Sequence, residues 1–278
     1  SFTSIENARF NFETEAAGLD FAQAQKAAHK AWNTELSKIL VQGGTEKDKI
    51  KFYTALYHVL LGRGVVNDVN GAYPKNDGTV GQLPLDKNGH PEFNFYNTDA
   101  VWGAFWNLTQ VWTLAWPDYL NDFVRTHLQV YQDADWLSDG LANSKYVSGV
   151  GSNFVSLVIA AAYNSGIRNY DIDLAYEAVL KDNVEHRNRK RGAGKMDLKP
   201  FIEKGYIPFS RERSPNIVTS SFAASRTLEY CFGSFAGAQM AKALGKEDDY
   251  KRLMQLSDQW KYIYDEELDL VRPRDENR

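Results

Sequence analysis

Cysteine is nearly absent. Cys231 is the single one in 278 residues, which excludes an internal disulfide and a cysteine-built zinc cluster. No apolar run reaches the roughly 18 residues of a membrane span. The longest candidates, residues 101–116 and 155–163, are too short or are broken by polar side chains. Neither sign of charge dominates: 32 basic and 36 acidic residues leave a net of −4, which argues against a nucleic-acid partner. The five histidines, His29, His58, His90, His127 and His186, form neither an HxxxH nor an HExxH pair, so a zinc hydrolase is a poor reading. The Gly-x-Ser-x-Gly elbow of serine hydrolases, the Walker loop and the dinucleotide fingerprint are all missing. An initiator methionine and a signal peptide are missing too, and the chain reads as a piece of a longer protein.

Aromatic residues, by contrast, make up 13% of the chain, with 7 Trp and 15 Tyr. Such side chains fill cores, and they also form the flat platforms that bind sugar rings. Residues 1–18 are mixed and acidic and read as a connecting strand or linker. From Asp20 onward the pattern is helical: Phe21, Ala24, Ala28, Trp32, Leu36 and Ile39 recur at three-to-four spacing until Gly43-Gly44. Thr45 with Asp48 predicts a capping box for a second helix. Residues 65–95 are dense in Gly, Pro, Asn and Asp, a long turn-rich segment. Thr98 is placed to cap a helix over residues 101–112, and Pro117 suits the first turn of the next. A second loop, 133–151, precedes helices over 154–163 and 171–181. The polar stretch 182–195, with its basic run 187–191, reads as a solvated loop. Two further helices, 219–244 and 246–264, close the chain. Helices arranged in pairs, with short turns alternating with long loops and no βαβ pattern, predict an all-α fold, either an α-toroid or an irregular bundle. In a toroid the long loops gather at one end, so 65–99, 133–153 and 204–221 are the segments where function is expected.

Several of these residues carry a family resemblance. Lys51-Phe52-Tyr53-Thr54-Ala55-Leu56-Tyr57-His58, Asn67-Asp68-Val69-Asn70-Gly71 with Tyr73, Trp136-Leu137 with Leu141-Ala142-Asn143, and Gly166-Ile167-Arg168 stand in order along the chain. Lys204-Gly205-Tyr206-Ile207-Pro208 and Ser225-Arg226-Thr227-Leu228-Glu229-Tyr230 follow, and then the run from Ala238 to Lys246. Together they resemble the catalytic domain of glycoside hydrolase family 92, the exo-acting α-mannosidases. The resemblance implies an (α/α)6 toroid behind an N-terminal β-sandwich. Residues 1–18 would be the seam from that absent sandwich, and 19–278 the first half of the toroid. It implies hydrolysis of terminal α-linked mannose, often α-1,2-linked, with inversion and with a bound calcium ion whose ligands lie outside this chain. The partners implied are a mannose-containing glycan and the remainder of the parent chain, with no nucleic acid and no membrane, in a secreted or periplasmic setting. The general acid and base would follow Arg278, and the isolated chain is expected to be inactive.

The sequence also departs from the family pattern. Asn97-Thr98-Asp99-Ala100-Val101-Trp102 keeps an Asp and loses an Arg. Ser152-Asn153-Phe154 and Gly233-Ser234 replace acidic motifs. A toroid glycosidase of other specificity and a non-catalytic carbohydrate-binding relative therefore stay open. The candidate substrate contacts are Asp99, Trp102, Trp136, Asn143 and Glu229. Each has a plainer alternative: helix capping for Asp99, core packing for Trp102 (with Trp106), turn structure for Trp136, Asp139 and Asn143, and an ion pair with Arg226 for Glu229. Asp68, Asp77 and Asp86 read as solvated turn residues, since no EF-hand spacing is present.

Overall fold

The computed structural model describes residues 1–61, 64–98, 101–142, 145–146, 151–190, 192–210 and 222–277. The helices are α1 (Ile5–Glu15), α2 (Phe21–Leu36), α3 (Glu46–Leu60), α4 (Val101–Ala104), α5 (Leu108–Ala115), α6 (Pro117–Ala134), α7 (Val155–Asn164), α8 (Ile172–Val184), α9 (Leu198–Lys204), α10 (Ala223–Ala243) and α11 (Glu247–Ser257). Short antiparallel pairs join them: β1 (Ala72–Pro74) with β2 (Val80–Gln82), β3 (Leu141–Ala142) with β4 (Lys145–Tyr146), and β5 (Tyr264–Asp265) with β6 (Leu270–Val271).

Local chemistry sets many of the helix ends. Thr45 and Asp48 form the expected capping box on α3, and Asp20 with Gln23 forms another on α2. Pro117 opens α6, and the Asp171 side chain accepts from Leu174 N at the start of α8. The expected helix over 101–112 is broken into α4 and α5. Thr98 is fully buried and its hydroxyl has no hydrogen-bond partner among the described residues, so it does not cap. The expected linker, residues 1–18, is helical over α1, with Ser4 as N-cap. None of its residues is buried, so no apolar stripe announced it.

Three helical hairpins, α5–α6, α7–α8 and α10–α11, pack side by side. α7 packs on α10 and α6 on α8, so first helices form one layer and second helices another, the arrangement of a partial toroid. Aromatic rings join the hairpins at the loop end: Phe105 stacks on Phe154 at 3.9 Å and lies 5.8 Å from Phe232. α7 is buried along nearly its whole length, whereas Trp106 (74% exposed) and Leu114 (84%) beside and on α5, and Phe232 and Phe235 on α10, stay open.

The turn-rich segment before Asn97 holds a small core of its own. Val66, Tyr73, Leu83, Phe93 and Phe95 pack with Val130 of α6 and Leu141. Tyr73 crosses the hairpin so closely that a Cβ on Gly81 would come within 2.4 Å of its ring, and its hydroxyl donates to Asp133 at 2.6 Å. Asp68, expected in a solvated turn, is buried and accepts from Thr3 and from Asn11 (2.7 Å), which ties α1 to this segment. Asp77 and Asp86 do sit in exposed turns, held by Thr79 and by Asn88 and His90.

His127 on α6 is completely buried against Phe123, and neither ring nitrogen has a hydrogen-bond partner among the described residues. Burial pushes its pKa from 6.5 down to about 3. The unfolded chain therefore takes up this proton first, and stability falls as pH drops below about 6.5. At about pH 5 that amounts to roughly 2 kcal/mol. His127→Leu is expected to keep the melting temperature near neutral pH and to flatten its decline between about pH 7 and pH 4. An unchanged acid slope in that variant would refute the assignment.

Candidate functional site

The loops that follow α6 and α8 meet at the N-terminal ends of α7 and α10. What joins them is charge. Asp182, in the last turn of α8, is 1% exposed. Its Oδ1 receives Arg189 Nη1 at 3.0 Å and Asn153 Nδ2 at 2.9 Å, and its Oδ2 faces Lys195 Nζ at 2.9 Å. Arg189 also donates to the carbonyls of Asp182 (2.7 Å) and Glu185 (3.0 Å), so it caps the C-terminal end of α8. Lys195 completes its shell on Asn183 Oδ1 at 2.7 Å. Asn153 sits at φ +47, and its amide reaches the carbonyls of Leu137 and Ala193. Gly194 is required opposite it: a Cβ there would stand 2.6 Å from the Asn153 Cβ, at φ +63.

Asp139 holds the other edge. Its carboxylate accepts from Gly151 N (2.7 Å) and Asn153 N (2.8 Å), and its own N donates to Gly192 O. Burial pushes its carboxyl upward against those two hydrogen bonds. Burial likewise pulls Lys195 below the usual lysine range, opposed by Asp182. Two cations and two carboxylates thus share one buried cluster, which keeps it near neutrality. On α10, Arg226 is 2% exposed and pairs with Asp197 Oδ2 at 2.8 Å, and Thr227 accepts from Ile207 N at 3.0 Å.

Glu229 lies one turn beyond Arg226 on the same helix. It is half-buried; burial raises its carboxyl above the usual range, while the Ser152 hydroxyl and the Arg226 charge pull the other way. Ser152, Arg226 and Glu229 are therefore neighbours. The ion pair that Arg226 makes at 2.8 Å is with Asp197, so the expected Arg226–Glu229 pairing gives way to an electrostatic contact.

The remaining candidates divide. Asp99 and Asn143 lie outside the described residues. Trp102 is half-buried and packs on the main core, while Trp106, expected beside it in the core, is exposed. Trp136 is only 3% exposed, with Arg189 at 4.5 Å and Lys181 at 4.7 Å from its ring, so it is an interior cation-π partner and not a rim platform. The stretch 182–195, expected to be solvated, contains the buried side chains of Asp182, Arg189 and Lys195, while Arg187, 76% exposed, and the exposed Lys190 match that expectation. These three were missed because charged residues read as surface. The signal available was Lys195 directly after Gly192-Ala193-Gly194, a backbone too tight for a free loop.

Chemically, the buried carboxylates of Asp139 and Asp182 are occupied by protein donors, and the half-buried Asp197 is paired with Arg226. Among the described residues of this corner, Glu229 is the carboxylate whose environment suits an incoming hydroxyl. Among the described residues no group of three or more His, Cys, Asp or Glu gathers to hold a metal ion. The described carboxylates thus offer no calcium cluster of their own.

The family model for the glycosyl hydrolase family 92 catalytic domain matches residues 7–278. The chain belongs to that family. A family 92 α-mannosidase of Bacteroides thetaiotaomicron, solved with mannoimidazole, superposes with a TM-score of 0.85 at 24% identity, covering 99% of this chain and 33% of that one. A family 92 inverting mannosidase of the same organism gives 0.86 at 22% identity, covering 99% and 35%. An uncharacterized secreted glycosidase of Arthroderma benhamiae is 27% identical over 270 residues, 95% of this chain and 29% of its own length. The chain thus spans about a third of the length of the family 92 relatives it matches. These likenesses agree with the all-α partial toroid.

Removing one partner from a buried ion cluster costs about 3–5 kcal/mol, because the others stay buried unpaired. Asp182→Ala is expected to lose that much in denaturant unfolding. Glu229→Gln, which deletes a charge that burial opposes, is expected to cost nothing near neutral pH. A mild Asp182→Ala, within about 1 kcal/mol of the parent, would contradict the cluster's role.

Proposed function

We propose that this chain forms one wall of the mannose pocket of a secreted or periplasmic family 92 α-mannosidase, acting on terminal α-linked mannose, α-1,2-linked among others, with inversion. The observation that carries the reading is Glu229: a half-buried carboxyl with its acidity weakened by burial, placed beside Ser152 and Arg226 where the long loops converge. A carboxylate there accepts hydrogen bonds from sugar hydroxyls, and Arg226 limits the cost of its charge. Inverting hydrolysis needs an acid to protonate the leaving oxygen and a base to activate water, about 6.5–9.5 Å apart. With Asp139, Asp182 and Asp197 held by protein donors, that pair comes from the rest of the parent protein, as do the calcium ligands. The same remainder covers the open apolar side chains Trp106, Leu114, Phe232 and Phe235.

The test uses the full-length parent with an aryl α-mannoside. Wild type is expected to release mannose with inverted anomeric configuration, and a calcium chelator is expected to lower the rate. Glu229→Gln is expected to lower kcat/KM by about 10- to 100-fold, the cost of a charged hydrogen bond, without loss of melting temperature. Turnover of glucosides but not mannosides would favour another specificity, and binding without any turnover a non-catalytic relative. A Glu229→Gln enzyme with wild-type kcat/KM would overturn the placement of the pocket.

A further inference from the structure

A concave feature lies apart from the Glu229 corner and includes none of its residues. It is a crevice of about 490 Å³ between α2, the start of α6 and residues 64–65 and 94–96, within the size range of small-molecule sites. Its walls are aromatic. Trp32, half-exposed on α2, lies on one side, 4.4 Å from Tyr57. Tyr96 and Tyr119, 4.6 Å apart edge to face, lie on the other. Polar groups surround these rings. Trp116 Nε1 and Lys38 Nζ both bond to Oε2 of Glu35 at 2.7 Å, and Glu35 Oε1 carries no bond among the described residues. Asp118 and Asp122 stand one turn apart on α6, and Asp122 accepts from Asn94 N at 3.0 Å. Desolvation raises the Asp122 carboxyl, the mark of an acid facing a sheltered space.

We propose that this crevice is a saccharide-binding subsite for a neutral pyranose of a mannose-containing glycan. Aromatic faces suit the axial and equatorial C–H surfaces of a sugar ring, and carboxylate oxygens beside them accept its hydroxyl protons. The charges select among ligand classes. An anion would meet three carboxylates. A cation would find Glu35 already paired with Lys38, whose ammonium lies 5.9 Å over the Trp116 ring, and Asp122 already accepting from Asn94 N. A neutral polyol both donates to Asp118 and Glu35 and accepts from Lys38, so it satisfies the mixed set. The choice of a mannoside as occupant rests on the proposed function; the crevice and its chemistry do not.

The experiment is a titration of the 278-residue chain with methyl α-mannoside and with an α-linked mannobiose, read by calorimetry and by tryptophan fluorescence. Three variants separate the sites: Trp32→Ala and Asp118→Asn in the crevice, and Glu229→Gln in the corner. Saturable binding that weakens about tenfold or more in both crevice variants, that survives in Glu229→Gln, and whose melting temperature matches wild type is the expected result. If Trp32→Ala melts early, Asp118→Asn, an exposed surface change, carries the comparison. Binding lost only in Glu229→Gln would overturn the crevice and support the corner. Wild-type affinity in both crevice variants, or no saturable binding at all, would overturn the crevice while leaving hydrolysis by the parent enzyme to judge the corner separately.

Discussion

One buried carboxylate, Asp182, organises the loop end of this molecule. Arg189, Lys195 and Asn153 reach it from separate segments and meet within 3.0 Å of its oxygens. Each of those groups would be costly to bury alone, so the segments must arrive together or not at all. The demand propagates outward. Asn153 can reach Asp182 only with its backbone at positive φ and with glycine at position 194. That geometry presents the amides of Gly151 and Asn153 to Asp139, which fixes the entry to α7. Ser152, held between them, lies against Glu229. A helical scaffold thus gains a shaped corner from irregular backbone, and the shape follows from satisfying charge.

The hairpins beneath supply rigidity. Phe105, Phe154 and Phe232 tie three hairpins together just under the loops, so the corner stands on packed aromatic rings. The open side chains of α5 and α10 show that these layers end in apolar surface where a closed toroid would continue. That agrees with a chain covering about a third of each family 92 relative it matches.

Most helices were legible in the sequence because burial on one face imposes a period close to 3.6 residues, and because Thr45, Pro117 and Asp171 mark their starts chemically. α1 was not legible, since Ile5, Phe10 and Phe12 are exposed and follow no stripe. The break between α4 and α5 was hidden because Trp102, Phe105 and Leu108 keep helical spacing across it. In the candidate corner, the sequence singled out Glu229 through its family setting and its position one turn from Arg226. The ion-pair partner of Arg226 is Asp197, not Glu229, and Asp197 is distant in sequence and close only in the fold. Trp136 was misread for a related reason: the cations that occupy its ring, Lys181 and Arg189, belong to α8 and the loop beyond it. Pairing across long loops is information that local pattern does not hold.

The central claim is that the corner built by the Asp182 cluster presents Glu229 to mannose. The most direct measurement is a crystal structure of the full-length parent with mannoimidazole bound. The account predicts a Glu229 carboxylate oxygen within ordinary hydrogen-bond distance of a ring hydroxyl, about 2.5–3.0 Å, with Asp139 and Asp182 still engaged only by protein donors. A ligand seated elsewhere, with Glu229 sealed by protein groups, would contradict it.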